Sequence, residues 1–252
     1  MRKEKSDNII EIENLSHRFS DGTIGLDSIS LRIRKGEFAL ITGRNGSGKT
    51  TLLRHLNGLL LPTSGTVRLA GISVSQDLVR ARQMAGMVFQ DADSQIVGET
   101  VADDVAFGPE NLCLDRAEIK RRVTAALEAV ELTAFADHQP YKLSGGEKRR
   151  LAIAGVLAMK PSVLIFDEPF SNLDYPGVGS VLRQILSLHG TGHTILLTTH
   201  DLEKVIAYSD RLIVMEKGKI VRDGDPEKVL SGIESLGVRA PCAGMKTVSW
   251  LN

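Results

Sequence analysis

The sequence predicts an α/β protein: a parallel sheet, an antiparallel β subdomain at its N-terminal end and a helical subdomain in the middle. Three observations carry this. A strand-like run, Glu37 to Thr42, enters the turn GRNGSGKT, Gly43 to Thr50, and a helical pattern follows. Val163 to Phe166 is continuously apolar, the mark of a strand buried on both faces, and HTILLTTH, ending at His200, reads the same way. The first forty residues instead alternate with the period-2 pattern of a half-exposed antiparallel sheet.

Taken in order, IIEIEN (Ile9 to Asn14) alternates, and SISLRIRKG puts Ile29, Leu31 and Ile33 on one face and Ser30, Arg32 and Arg34 on the other. Phe19, at a strand end, suits either a core position or stacking on a nucleobase. The glycines of GRNGSGKT let successive N–H groups point inward as a nest for phosphate oxygens. Leu52, Leu53, Leu56 and Leu60 recur on one face of the next helix, so its positive end faces the nest. The candidate phosphate-binding set is Gly43, Arg44, Asn45, Gly46, Ser47, Gly48, Lys49, Thr50 and Thr51. Lys49 is expected to reach the β- and γ-phosphates, and the Thr50 hydroxyl to sit on Mg²⁺.

LPTSGTVRLAG predicts a turn and a short strand, and MAGMVFQ a strand ending at Gln90. The polar stretch from Asp91, punctuated by Gly98, Gly108 and Pro109, reads as a loop with short helices. Asp115, with Glu118 three residues on, suggests a capping box opening a helix whose apolar face is Ile119, Val123, Leu127 and Val130. Ser144, Gly145 and Gly146 then open a long helix; alone they read as a cap, and beside a phosphate nest also as a second anion-binding turn. The helical subdomain is placed at about 91–160.

Asp167 and Glu168 stand at the carboxyl end of the strand Val163 to Phe166. With a phosphate nest in the chain, Asp167 is assigned to hydrated Mg²⁺ and Glu168 to orienting or deprotonating an attacking water. FSNLD is a turn, and Pro176 opens a helix with Val178, Val181, Leu182, Ile185 and Leu186 on its apolar side. His200 lies where strand ends collect ligands in open α/β sheets. The other five histidines read as structural or solvent-facing. RLIVM, EKGK and KIVRDG predict a closing hairpin, and Asp225–Pro226 a last helix. One domain is expected over 1–230, and the tail 231–252, with the lone Trp250, is left unplaced.

Composition narrows the function. Lys plus Arg (31) equals Asp plus Glu (31), so no overall field draws the chain to nucleic acid or anionic lipid. The start, MRKEKSDNII, has no signal-like apolar core, and no run approaches the ~18 residues of a membrane span. A soluble chain is therefore expected. Cys113 and Cys242 are unpaired in sequence, which suits a reducing compartment and offers no zinc site.

The nest, Gln90, LSGG, LIFDE, SNLD and His200 stand in an order that resembles the ATP-binding cassette (ABC) ATPases of the P-loop class, over roughly Ile9 to Leu230. The resemblance implies ATP and Mg²⁺ as ligands, with Phe19 on adenine and Gln90 touching Mg²⁺ and the attacking water. It makes Glu168 the catalytic glutamate, Asp174 the D-loop aspartate and His200 the switch histidine. It further implies that Ser144, Gly145 and Gly146 bind the γ-phosphate held by a second protomer, same or paralogous, in a head-to-tail dimer. One departure is Glu147, where many members have Gln.

VFQDADSQIVGETVADDVAFGPENL and LSGGEKRRLAIAGVLAM look, more narrowly, like the ATPase subunits of energy-coupling factor transporters, importers of vitamins or of cobalt and nickel. That implies a transmembrane coupling subunit, a substrate-binding membrane subunit and a peripheral place on the cytoplasmic face of the cell membrane. The alternatives are another ABC transporter class, a soluble ABC ATPase acting on nucleic acid or ribosomes, and a nucleotide sensor without turnover. The single cassette without heptads or zinc motifs disfavours the second, and Glu168 with His200 the third.

Overall fold

The computed structural model describes residues 7–242, 250 and 251; positions 1–6 of the expected range 1–230, and 243–249 and 252 of the range 231–252, lie outside them. Strands β1 (Asn8–Arg18), β2 (Ile24–Arg34), β4 (Ser64–Leu69) and β5 (Ile72–Ser73) form an antiparallel sheet in the order β2-β1-β4-β5. Strands β3 (Phe38–Thr42), β6 (Ala85–Val88), β7 (Val163–Asp167), β8 (Thr194–Thr198), β9 (Arg211–Glu216) and β10 (Lys219–Gly224) form the second sheet, ordered β10-β9-β3-β8-β7-β6. It is parallel from β9 to β6, and only the edge strand β10 runs antiparallel.

The apolar runs of β3, β7 and β8 are explained by two cores, one on each sheet face. Phe38, Leu40, Leu164, Phe166, Ile195 and Leu197 face the helices, whereas Ala39, Ile41, Val163, Ile165 and Leu196 face the antiparallel sheet and α1 (Lys49–Leu56). Each of the larger side chains, fully buried, contributes about 1.5–3 kcal/mol. The helical side is made by α3 (Val101–Asn111), α4 (Arg116–Ala129), α5 (Gly145–Ala158) and α6 (Tyr175–Gly190). α5 packs on α3, α4, α6 and β6, so one rigid helix joins the helical layer to the sheet.

Several local readings change. α1 ends at Leu56, because Gly58 takes a left-handed φ of +68° against Leu78, and Leu60 lies beyond the helix. A short α2 (Leu78–Met84) precedes β6, capped by Asp77, whose carboxylate accepts from the Arg80 N–H. The stretch read as loop and short helices contains the three-turn α3, opened by a full Thr100/Asp103 capping box. β8 stops at Thr198, two residues short of His200. α7 (Pro226–Val229) is one turn long.

The capping box expected at Asp115 is only half formed. Asp115 accepts from the Glu118 N–H, but the Glu118 carboxylate turns away to Arg122, Arg121 and Lys160. Those cations hold it down at about 2, hydrogen bonding to Arg122 contributing most. A depressed carboxyl stabilises the fold above its unfolded pKa, and the benefit fades as pH falls toward the folded value. Glu118→Gln is therefore expected to lower the thermal midpoint at pH 7, the gap to the native chain closing between about pH 4.5 and pH 2. A gap unchanged at pH 2 would contradict this.

Candidate active site

The turn after β3 curls through positive φ at Gly43 (+147°), Gly46 (+78°) and Gly48 (+102°). A side chain at Gly43 would strike the Met215 carbonyl at 2.2 Å, and one at Gly48 the Gly25 carbonyl at 2.7 Å. Glycine is therefore required by space as well as by φ. Lys49 opens α1 yet folds back: its Nζ donates to the carbonyls of Gly43 (2.8 Å) and Arg44 (3.2 Å). Burial pushes the Lys49 pKa down, while Glu168 and Asp167 oppose that shift. The Ser47 Oγ is buried in the cradle without a hydrogen-bond partner, and no side chain caps the α1 N-terminus. These are unspent donors around a concave turn, which fits a phosphate.

The carboxyl end of β7 is fixed by its neighbour β8. Thr198 Oγ–H donates to Asp167 Oδ1 at 2.6 Å, and its Oγ accepts from the Glu168 N–H at 3.1 Å. Glu168 adopts a left-handed φ of +48°, a conformation that side chains take at a cost and that turns its carboxylate into the cleft. There it meets His200, whose Nδ1–H donates to Glu168 Oε2 at 3.0 Å. A carboxylate only accepts, so the imidazole nitrogen facing it carries the proton. Thr198 escaped the sequence reading. Its one signal is a hydroxyl at the end of an apolar strand.

Phe19, Asn45 to Thr51, Gln90, Glu168 and His200 line one cleft of about 440 Å³. Phe19 is 39% exposed at the mouth, packed edge-on to His17 at 4.7 Å, so the core alternative is excluded. Beneath it the buried His55 donates to the Thr51 carbonyl at 2.7 Å and faces His17, a structural pair. Gly43, Arg44 and Asn45 also line an adjoining recess with His200 and residues 237–239 of the tail. Ile233 and Val238 are buried in the core, and Trp250 rests on Tyr175.

Ser144, Gly145, Gly146 and Asp174 do not reach this cleft. They line a separate one of about 480 Å³ with Glu147 and Arg150. Ser144 caps α5, and Asp174 caps α6 by accepting from the Gly177 N–H at 2.9 Å. Arg149, on the same helix as Ser144–Gly146, was also absent from the sequence reading. It is buried, and its guanidinium donates to the carbonyls of Phe89 and Gln90, the latter at 2.6 Å. Arg149→Met leaves both carbonyls without a donor. It is expected to lower unfolding free energy by about 2–4 kcal/mol, measured by urea titration; an unchanged midpoint would contradict this.

No group of three or more His, Cys, Asp or Glu among the described residues is arranged to cage a metal. Mg²⁺ needs less, one or two protein oxygens beside phosphate and water. The hydroxyl of Thr50 and the carboxylate of Asp167 are donors of that kind, as is the amide of Gln90.

The chain matches the family described as "ABC transporter" over residues 26–171, more than half its length. It is 46% identical over 237 residues to the "Energy-coupling factor transporter ATP-binding protein EcfA" of Methanosarcina acetivorans, covering 92% of this chain and 86% of that one. To the protein of the same name from Methanocaldococcus jannaschii it is 43% identical, covering 90% and 83%. Among solved structures it superposes on cbiO1 of Clostridium perfringens, described as part of the ABC transporter complex cbiONQ, with TM-score 0.83 and 37% identity over 93% of this chain and 96% of that one. It also superposes on the ATP-binding cassette MJ0796, a dimer bound to ADP and Pi, with TM-score 0.76 and 28% identity over 86% and 98%. Cradle, paired carboxylates and relatives agree, and the chain belongs to the ABC transporter family as an ATP-binding, ATP-hydrolysing cassette.

Proposed function

We propose that the chain is the motor subunit of an energy-coupling factor type importer for a vitamin or for cobalt or nickel, working as a head-to-tail cassette dimer. The observation that carries the dimer is the division of the site. The cleft with the cradle, Glu168 and His200 contains no part of Ser144–Gly146, and the cleft with Ser144–Gly146 contains no cradle. Two antiparallel copies, identical or paralogous, bring each half against the other's complement. The MJ0796 cassette, which is dimeric, supports this reading, and the EcfA and cbiO1 relatives support the transporter class.

In this reading one domain spans 1–230, its helical subdomain lies at about 91–160, and ATP lies with adenine on Phe19 and phosphates in the turn Gly43 to Thr51. Lys49 leaves its two carbonyls for the β- and γ-phosphates. Thr50, Gln90 and Asp167 would hold Mg²⁺, which would neutralise the charge that develops on the phosphates. Glu168 accepts the proton of the attacking water, and His200 fixes the carboxylate that does so. The Thr198 hydroxyl holds the Asp167 carboxylate and the Glu168 N–H in place.

No helix among the described residues is long and apolar enough to cross a membrane, so the reading requires transmembrane partners. We place the chain on the cytoplasmic face of the membrane, held there by a coupling subunit and a substrate-binding subunit. The balanced charge argues against nucleic acid. The test is a tagged pull-down from detergent-solubilised membranes of the native host. Co-elution of a multispanning protein and a small membrane protein is the expected result; recovery with ribosomes or with no membrane protein would contradict the transporter reading.

A further inference from the structure

The first turn of α5 holds an arrangement that ATP hydrolysis as described does not use. Glu147 Oε2 accepts from the Ser144 N–H and from the Ser144 Oγ–H, each at 2.7 Å, while Ser144 Oγ accepts from the Glu147 N–H at 3.3 Å. This is a reciprocal capping box. The Ser144 hydroxyl, and next its amide, hold the Glu147 carboxyl below the usual carboxylate range, so the group is anionic at neutral pH. A serine hydroxyl has one proton to give. While Glu147 holds it, no other anion can.

Geometry also sets how near a second anion must come. A phosphate oxygen accepting from Ser144 Oγ would lie within two hydrogen-bond lengths of Glu147 Oε2, under ~6 Å. Both side chains line the same cleft. Like charges at that separation repel even where solvent screens them.

We propose that Glu147 is a positioning residue that restrains cassette closure, keeping the Ser144 proton in the open chain and opposing by its charge the γ-phosphate presented by the partner. The proposal rests on the head-to-tail reading. It makes ATP-driven association weaker and more readily reversed than the backbone donors of Gly145 and Gly146 alone would give. Glutamine at this position separates charge from capping, because its amide also completes a capping box.

The test uses the full chain with Glu168→Gln, to keep ATP intact, and follows association in Mg²⁺-ATP by sedimentation at low and high salt. Adding Glu147→Gln is expected to bring association to about tenfold lower protein concentration at low salt. The advantage should shrink as salt screens the charge, with a thermal midpoint within about 2 °C of the parent. Equal or weaker association at low salt overturns the proposal. Glu147→Ala, which removes cap and charge together, should also associate more tightly despite a lower thermal midpoint; a change in the midpoint alone would reduce Glu147 to a cap and sink the idea. If the Glu168→Gln parent stays monomeric in ATP, alone and mixed with a co-purified second cassette, the head-to-tail reading fails, and the role of Glu147 with it.

Discussion

Glu168→Gln is expected to bind ATP as the native chain does and to lower turnover by about 10²–10⁴-fold, the usual contribution of a positioned general base. The substitution keeps the shape of the side chain and the left-handed backbone at position 168, where φ is +48°. It removes the carboxylate hydrogen-bonded to His200, and an amide cannot take a proton from water. Binding is preserved because the cradle stands on α1 and on the loop after β3, not on β7. Equilibrium binding of a fluorescent ATP analogue, with steady-state phosphate release, separates the two effects; native turnover in this variant would remove Glu168 from the chemistry.

Lys49→Ala is expected to act on the other term, weakening ATP affinity by about 2–4 kcal/mol, roughly 30- to 1000-fold. Lys49 is the buried cation of the cradle, and Gly43 and Arg44 hold its ammonium over the turn. Losing it leaves a triphosphate facing Asp167 and Glu168 without the charge that offsets them. The thermal midpoint should change less, since the hydrogen bonds of the ammonium go to two loop carbonyls. Unchanged affinity by isothermal titration would show that the cradle is not where ATP binds.

Much of this site could be read from residue order because each part rests on a local rule. Gly43, Gly46 and Gly48 are needed at positive φ, Val163 to Phe166 must be buried on both faces, and each requirement leaves a mark in the sequence. The hairpin β9–β10 was equally plain, its turn at Lys217 and Gly218 taking left-handed φ at both residues. What escaped depends on partners distant in sequence. Arg149 looks like one more charge in EKRR until the fold carries it beneath Phe89 and Gln90, about sixty residues away. Thr198 gains its meaning only from β7 beside it.

Helix α3 was obscured by Gly108 and Pro109, which fall in its last turn: Pro109 has no N–H to give the carbonyl one turn back, and the helix ends two residues later at Asn111. α1 was overextended because Leu60 continued the spacing while Gly58 had already ended the helix. The Glu118 case runs the other way. A local rule offered a cap, and three cations from α4 and the segment after α5 outbid it for the carboxylate.

The proposed head-to-tail dimer leaves no single chain with a complete site. Its most direct test is to measure ATP turnover per chain across a dilution series while recording molecular mass by sedimentation in the same buffer. Turnover should follow the fraction of paired cassettes and vanish in the monomer, with a second cassette restoring it if this chain does not pair with itself. A species with the mass of one chain that hydrolyses ATP at a constant rate per molecule would contradict the account.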